Sequence, residues 1–153
     1  MPTYASDTKV SSAQSRQEIE RTLERYGADQ FMYGWEEERA MVGFRASGRQ
    51  VRFMLTMPDR NNRDFTHHSR GARTAEAAAK QFEQAVKQRW RALALVVKAK
   101  LEAVEAGITT FDEEFMAHII LPNGQTTADF MVPQIQRAYE TGQMPPLLPA
   151  PGA

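Results

Sequence analysis

The sequence predicts an α+β domain. Its core is a three-stranded antiparallel β-meander packed against one long α-helix, with an N-terminal helix and a small C-terminal helical lobe. Three observations carry this. Ser47-Gly48 separates two runs whose apolar residues fall on one face when paired about that turn. Nothing breaks a helical pattern between Thr74 and Gly107. Capping signatures and glycine stops bracket the remaining helices.

Residues 1–14 are rich in Ser, Thr and Ala and read as a disordered N-terminus. Ser15-Arg16-Gln17-Glu18 reads as a capping box opening the first helix. Ile19, Leu23 and Tyr26 form its apolar stripe, and Gly27 stops it. In the first strand Phe31, Tyr33 and Trp35 alternate with Gln30, Met32 and Gly34. The second strand spans 39–46 and the third 49–57. The Ser47-Gly48 turn pairs Ala46 with Arg49, Phe44 with Val51, Val42 with Phe53 and Ala40 with Leu55. A slip of one residue would mix the faces, so the register is strongly specified. A tight turn at 37–38 sets Trp35 opposite Ala40. Trp35 and Trp90 both read as core residues.

Residues 58–73 form a polar loop, of a length that is usually either functional or disordered. The long helix follows, capped by Thr74. At 1.5 Å per residue it runs roughly 50 Å, so it must project, bend or lie along a neighbouring subunit. Its apolar face reads as Phe82, Ala85, Val86, Leu93, Val96 and Val104. Thr110-Phe111-Asp112-Glu113 opens a shorter helix carrying Phe115, Met116 and Ile119. Pro122-Asn123-Gly124 is a turn. A last helix covers about 127–141, with a possible break at Pro133, and ends at Gly142. The chain is thus one domain over 15–142 with a proline-rich tail at 143–153.

The net charge is zero, yet its distribution is uneven. Residues 39–100 hold 14 Lys and Arg against 4 acids, a net of +10, while 101–153 hold one Arg against seven acids. Such segregation points to an anionic partner, most simply a phosphate backbone. The competing explanation is that the two halves neutralise each other. The 42% hydrophobic content suits a globular domain. No cysteine means no disulfide framework and no thiolate metal site. Without an apolar leader or a membrane-length run, a cytoplasmic protein is expected.

The 58–73 loop carries Arg60, Arg63, Arg70 and Arg73 beside Phe65, a composition suited to gripping a strand backbone and stacking on a base. On the long helix, Lys80, Lys87, Arg91 and Lys98 fall within roughly 40° of one another and form a basic ridge. Arg89 and Lys100 project into the apolar face. They reach the sheet edge, an acid of a partner subunit or a bound phosphate, or else their heads snorkel to water. Glu114 and His118 have metal-compatible helical spacing, but nothing supplies the other ligands. Adjacent His67 and His68 read as solvated. No phosphate-binding glycine motif is present. No metal, cofactor or catalytic residue is expected.

A meander over Gln30 to Met57 feeding a long helix over Thr74 to Ala106 resembles the single-strand annealing recombination proteins, including the Red-beta and Erf types of phages. The match covers about 60 of 153 residues and lies in element order and charge. The stretches QRWRALALVVKAKLEAVEAGITTF and LPNGQTTADF are similar to small proteins of phages and prophages. The annealing family implies a ring or filament with single-stranded DNA between the hairpin and the long helix. Arg45, Arg52, the loop arginines and the basic helix residues would contact phosphates, with no nucleotide hydrolysis. This chain is short for that family. The favoured expectation is therefore sequence-independent single-stranded DNA binding and annealing by a homo-oligomer, with no membrane and no small-molecule substrate. The alternatives are a phage assembly or inhibitor protein whose basic strip docks on an acidic partner, and a small nuclease using Glu114 and His118.

Overall fold

The computed structural model describes residues 11–36 and 38–144. Residues 1–10 and the proline-rich segment 145–153 lie outside the described residues, so most of both expected termini does too.

The first helix, α1, spans Ser12–Arg25. It begins earlier than the sequence suggested. Ser11 is the N-cap: its hydroxyl accepts from the Gln14 amide at 3.1 Å, and the Gln14 side chain accepts from the Ser11 amide. Glutamine thus closes the box one turn upstream of Ser15-Arg16-Gln17-Glu18, and residues 11–14 are ordered rather than disordered. Ser15 is instead buried with Ile19 and Leu23 on the inner face, its hydroxyl without a partner among the described residues. Ser15→Ala is therefore expected to stabilise the fold by about 1 kcal/mol, by removing an unpaired polar group and improving helix propensity. A thermal melt should move up by a few degrees; a lower midpoint would mean the hydroxyl is satisfied after all.

The meander follows in the order β1 (Gln30–Glu36), β2 (Arg39–Ala46), β3 (Arg49–Thr56). Its register is the one the turn dictates. Phe44 faces Val51, Val42 faces Phe53, Ala40 faces Leu55, and Trp35 lies opposite Ala40. Ser47 and Gly48 both adopt positive φ, 54° and 72°. That pair of values makes the primed turn whose twist matches the strands, and glycine relieves the second position. Alternation buries Ala40, Val42, Phe44, Ala46, Val51 and Phe53 on one face.

The span 58–73 is not a structureless loop. It holds a short helix, α2 (Arg63–Thr66), capped by Asn62, and a small hairpin of β4 (His67–His68) and β5 (Gly71–Ala72). Phe65 meets Phe82 edge to face at 5.8 Å, which ties this corner to the long helix. The signal missed in the sequence was the Asn62 cap, whose side chain accepts from the Asp64 amide.

The long helix, α3, spans Ala75–Glu105 with Thr74 as N-cap. Its buried residues are Trp90, Leu93, Ala94, Val97 and Leu101. The expected face of Phe82, Ala85, Val86, Leu93, Val96 and Val104 is thus turned aside, and only Leu93 is fully buried from that set. The reason is that α3 packs against both α1 and the sheet, so its inward direction is set by two partners, not by the widest apolar stripe. Trp90 is core, as expected. Trp35 is not: it lies at the outer strand and is 76% exposed.

The C-terminal lobe begins with α4 (Phe111–Phe115), capped by Thr110, and tightens into a single 3₁₀ turn over Met116–His118. The helix expected to carry Phe115, Met116 and Ile119 therefore ends before Ile119. Instead, Ile119 bridges to Val51, and the Ile120 amide donates to the Gln50 carbonyl at 2.8 Å. The last helix, α5 (Thr127–Thr141), runs through Pro133 and stops at Gly142, where φ is 70°. A left-handed cap of this kind favours glycine. Among the described residues, no helix is long and apolar enough to cross a membrane.

Candidate nucleic-acid interface

Burial and hydrogen bonding sort the thirteen candidate residues into two groups. The first group is held within the fold. Arg45 makes a bidentate pair with Asp29, Nη2 to Oδ2 at 2.6 Å. That hydrogen bond, more than Coulomb attraction, holds the Asp29 carboxyl below its ordinary range and raises the guanidinium. Arg91 pairs with Glu18 and fastens α3 to α1. Arg73 donates from Nη1 to the carbonyls of Asp64 and Phe65 at 2.6 and 2.9 Å, closing the end of α2. Arg52 donates to the Gly124 carbonyl at 3.3 Å, while its buried Nε has no partner among the described residues.

Arg89 and Lys100, the two cations expected on the apolar face, receive separate answers. Arg89 Nε donates to the Thr56 carbonyl at 2.9 Å, so it reaches the sheet edge. Lys100 Nζ lies 3.3 Å from Glu114 Oε1 and also donates to the Glu114 carbonyl at 3.2 Å. Its acid belongs to its own chain. Together with the Arg49–Asp112 pair at 3.1 Å, this contact shows that part of the charge asymmetry is neutralised internally.

The second group remains available. Among the described residues, Arg63, Arg70, Lys80, Lys87 and Lys98 have no ion-pair or hydrogen-bond partner for their side-chain cations. Arg60 lies over the Phe82 ring, 4.3 Å from its centroid, which positions the guanidinium without neutralising it. Phe65 is engaged on the other aromatic contact of Phe82 and is half-buried, so it anchors the corner. These cations gather on the α2–β4–β5 corner and along α3.

The geometry separates this surface from the sheet arginines. Helices α1 and α3 cover the face of the sheet that buries Val42, Phe44 and Val51. Arg45 and Arg52 alternate to the opposite face. Within one chain, then, the sheet arginines and the α3 ridge do not converge on a common groove. The opposite face instead forms a shallow trough of about 590 Å³ lined by Met32, Met41, Gly43, Gln50, Arg52 and Ile120. Met32 and Met41 lie across from Gly43 and Gly34 in the register.

The Glu114–His118 pair does not form a metal centre. Glu114 is taken by Lys100, and His118 stacks on Phe53 with centroids 4.0 Å apart. No group of three metal-ligating side chains occurs among the described residues. His67 and His68 serve the small hairpin: His67 Nδ1 lies 2.8 Å from the Thr66 hydroxyl, and His68 Nδ1 accepts from the Arg70 amide. Burial, with nearby Lys100 adding to it, lowers the His118 pKa from 6.5. The folded state thus binds this proton less readily than the unfolded state. Its contribution is complete above about pH 6.5 and is lost as pH falls from there toward the folded value. Urea midpoints at pH 7 and 5.5 should differ less for His118→Gln than for the native chain; an equal difference would remove His118 from the account.

No family model, characterised protein or solved structure matches the chain. The class is defined by the fold and its surface: an α+β domain with uncommitted cations along its long helix, an open methionine-lined sheet face and no group of three metal-ligating side chains among its described residues.

Proposed function

We propose that this protein binds single-stranded DNA without sequence preference and promotes annealing as an oligomer, in the cytoplasm of a bacterial host carrying phage or prophage genes. The observation that carries the reading is the set of uncommitted cations. Once internal pairs are assigned, Arg60, Arg63 and Arg70 at the α2–β4–β5 corner and Lys80, Lys87 and Lys98 along α3 are still uncommitted among the described residues. Lys80 and Lys87 are separated by about two helical turns, some 10 Å along α3, so an extended phosphate chain can meet both. Neutralising phosphates releases counterions, holds strands near one another and leaves bases free to pair. The matched strands then zip without nucleotide hydrolysis.

Arg45, Arg52, Arg73, Arg89, Arg91 and Lys100 are reassigned in this reading from phosphate contacts to contacts that hold the fold. Binding to a long oligonucleotide should therefore weaken steeply with salt. With five phosphate contacts, the slope of log affinity against log salt should be about −3.5. Fluorescence anisotropy between 50 and 200 mM salt measures it, and a flat response sinks the proposal. If the free chain fails to bind DNA yet captures acidic proteins through the same cations, the assembly or inhibitor reading replaces it.

A further inference from the structure

We infer that β1 is a dimerisation strand. It joins the β1 of a second copy antiparallel about a two-fold axis at Tyr33, making one six-stranded sheet. The inference specifies the assembly in the reading above but does not depend on DNA binding.

The outer edges of the sheet are unequal. That of β3 is occupied at both ends: the Gln50 carbonyl accepts from Ile120, and the Thr56 carbonyl accepts from Arg89. That of β1 is open along its length among the described residues. The Met57 amide bonds to the Glu38 carbonyl, and alternation from that bond sends the backbone groups of Phe31, Tyr33 and Trp35 outward. Within its own sequence this edge also lacks the devices that protect lone strands, although Arg16 of α1 lies over the Tyr33 ring, 4.9 Å from its centroid. Its register is regular over seven residues, with no bulge, and residues 30–35 contain no Pro, Lys or other charge. Three large side chains on it are exposed: Met32 at 60%, Tyr33 at 46% and Trp35 at 76%.

The sequence of β1 is complementary to its own reverse. Centred on Tyr33, all seven residues pair. On one face Phe31 meets the partner's Trp35, and Tyr33 meets the partner's Tyr33. Aromatic cross-strand pairs of this kind stabilise sheets. On the other face Met32 meets the partner's Gly34, repeating the Met32–Gly43 and Gly34–Met41 pairing within the chain. At the ends Gln30 meets the partner's Glu36, so no like charges oppose. Each opposed pair of outward residues exchanges two backbone bonds, for about six in all. A hollow of about 430 Å³ flanks this edge, lined by Ala13, Arg16, Gln17, Phe31, Met32 and Tyr33. Opposite Phe31, the partner's Trp35 is delivered beside that hollow. Because β3 is occupied, the contact is isologous and closes at two. A larger ring or filament then needs a second, different contact.

The test uses the full chain. Light scattering after size exclusion should give a dimer, and Trp35→Glu should give a monomer with an unchanged circular dichroism spectrum. The chain has no cysteine, so Tyr33→Cys introduces a single thiol at the two-fold. Opposed Cα atoms about 5.5 Å apart there fall within disulfide range. Oxidation should yield a covalent dimer, while Met54→Cys on β3 should not. A monomeric native chain overturns the inference. So does a dimer that persists in Trp35→Glu and is not captured by Tyr33→Cys. Single-stranded DNA titrated into the same samples separates the two readings. A native chain that is monomeric yet binds DNA in a salt-dependent way strikes the dimer inference alone, whereas a dimer that fails to bind DNA strikes the functional reading alone.

Discussion

Phe115→Ala is expected to destabilise the domain by about 3–5 kcal/mol, more than any other single truncation in the C-terminal lobe. Phe115 is completely buried. Its ring meets Phe44 and Phe53 edge to face, at 5.8 and 6.3 Å, and stacks on Phe111 at 4.6 Å. Four aromatic rings from β2, β3 and α4 thus share one contact. Removing the central ring opens a cavity that stiff neighbours cannot fill, and it frees α4 from the sheet. The thermal midpoint should fall by roughly 10–15 °C. Phe111→Ala should do less, because Phe111 is only partly buried. Equal midpoints for Phe115→Ala and the native chain would show that the C-terminal lobe contributes little to the core.

Lys80→Glu combined with Lys87→Glu is expected to weaken single-stranded DNA binding by at least ~25-fold near 0.1 M salt. For single strands each lost phosphate contact lowers the salt slope by about 0.7, which at that salt is roughly fivefold in affinity. Two lost contacts compound, and reversed charge adds repulsion. The slope itself should fall by about 1.4. Neither lysine is committed to an ion pair among the described residues, so the melt should stay near the native one. Arg45→Ala is the useful contrast. Its guanidinium is held by Asp29 on the opposite face, so DNA affinity should hardly change. If Arg45→Ala weakens binding as much as the lysine pair, the interface includes the sheet arginines, as the family resemblance implied.

Much of the fold was legible because local rules were sufficient for it. A primed turn at Ser47-Gly48 fixed the pairing of eight-residue strands by counting outward. Thr74, Thr110 and Gly142 mark helix ends through chemistry that needs only a few neighbours. Where two local signals competed, the sequence was ambiguous. Ser15-Arg16-Gln17-Glu18 and Ser11 with Gln14 both satisfy a capping pattern. Ser11 prevails because Ser15, Ile19 and Leu23 then share the buried face of α1. The α2 corner was missed since an Asn62 cap over one helical turn leaves no periodicity to detect.

The candidate interface was legible only as a list of cations. Composition cannot distinguish an arginine that grips a phosphate from one that grips Asp29 or the Thr56 carbonyl. Both need the same guanidinium, and the partner is 16 or 33 residues away.

The sequence by itself determined the α+β class, the strand register, the helix ends at Thr74, Thr110 and Gly142 and the concentration of positive charge between residues 39 and 100. These follow from turn geometry, side-chain periodicity and charge counting, which act over short separations. The tertiary structure alone decided which face of α3 is buried, which cations are already paired, and that Trp35 lies on an open edge rather than in the core. Those outcomes depend on where α1 and the C-terminal lobe come to rest. That placement sums many weak long-range contacts, so no short window of residues encodes it.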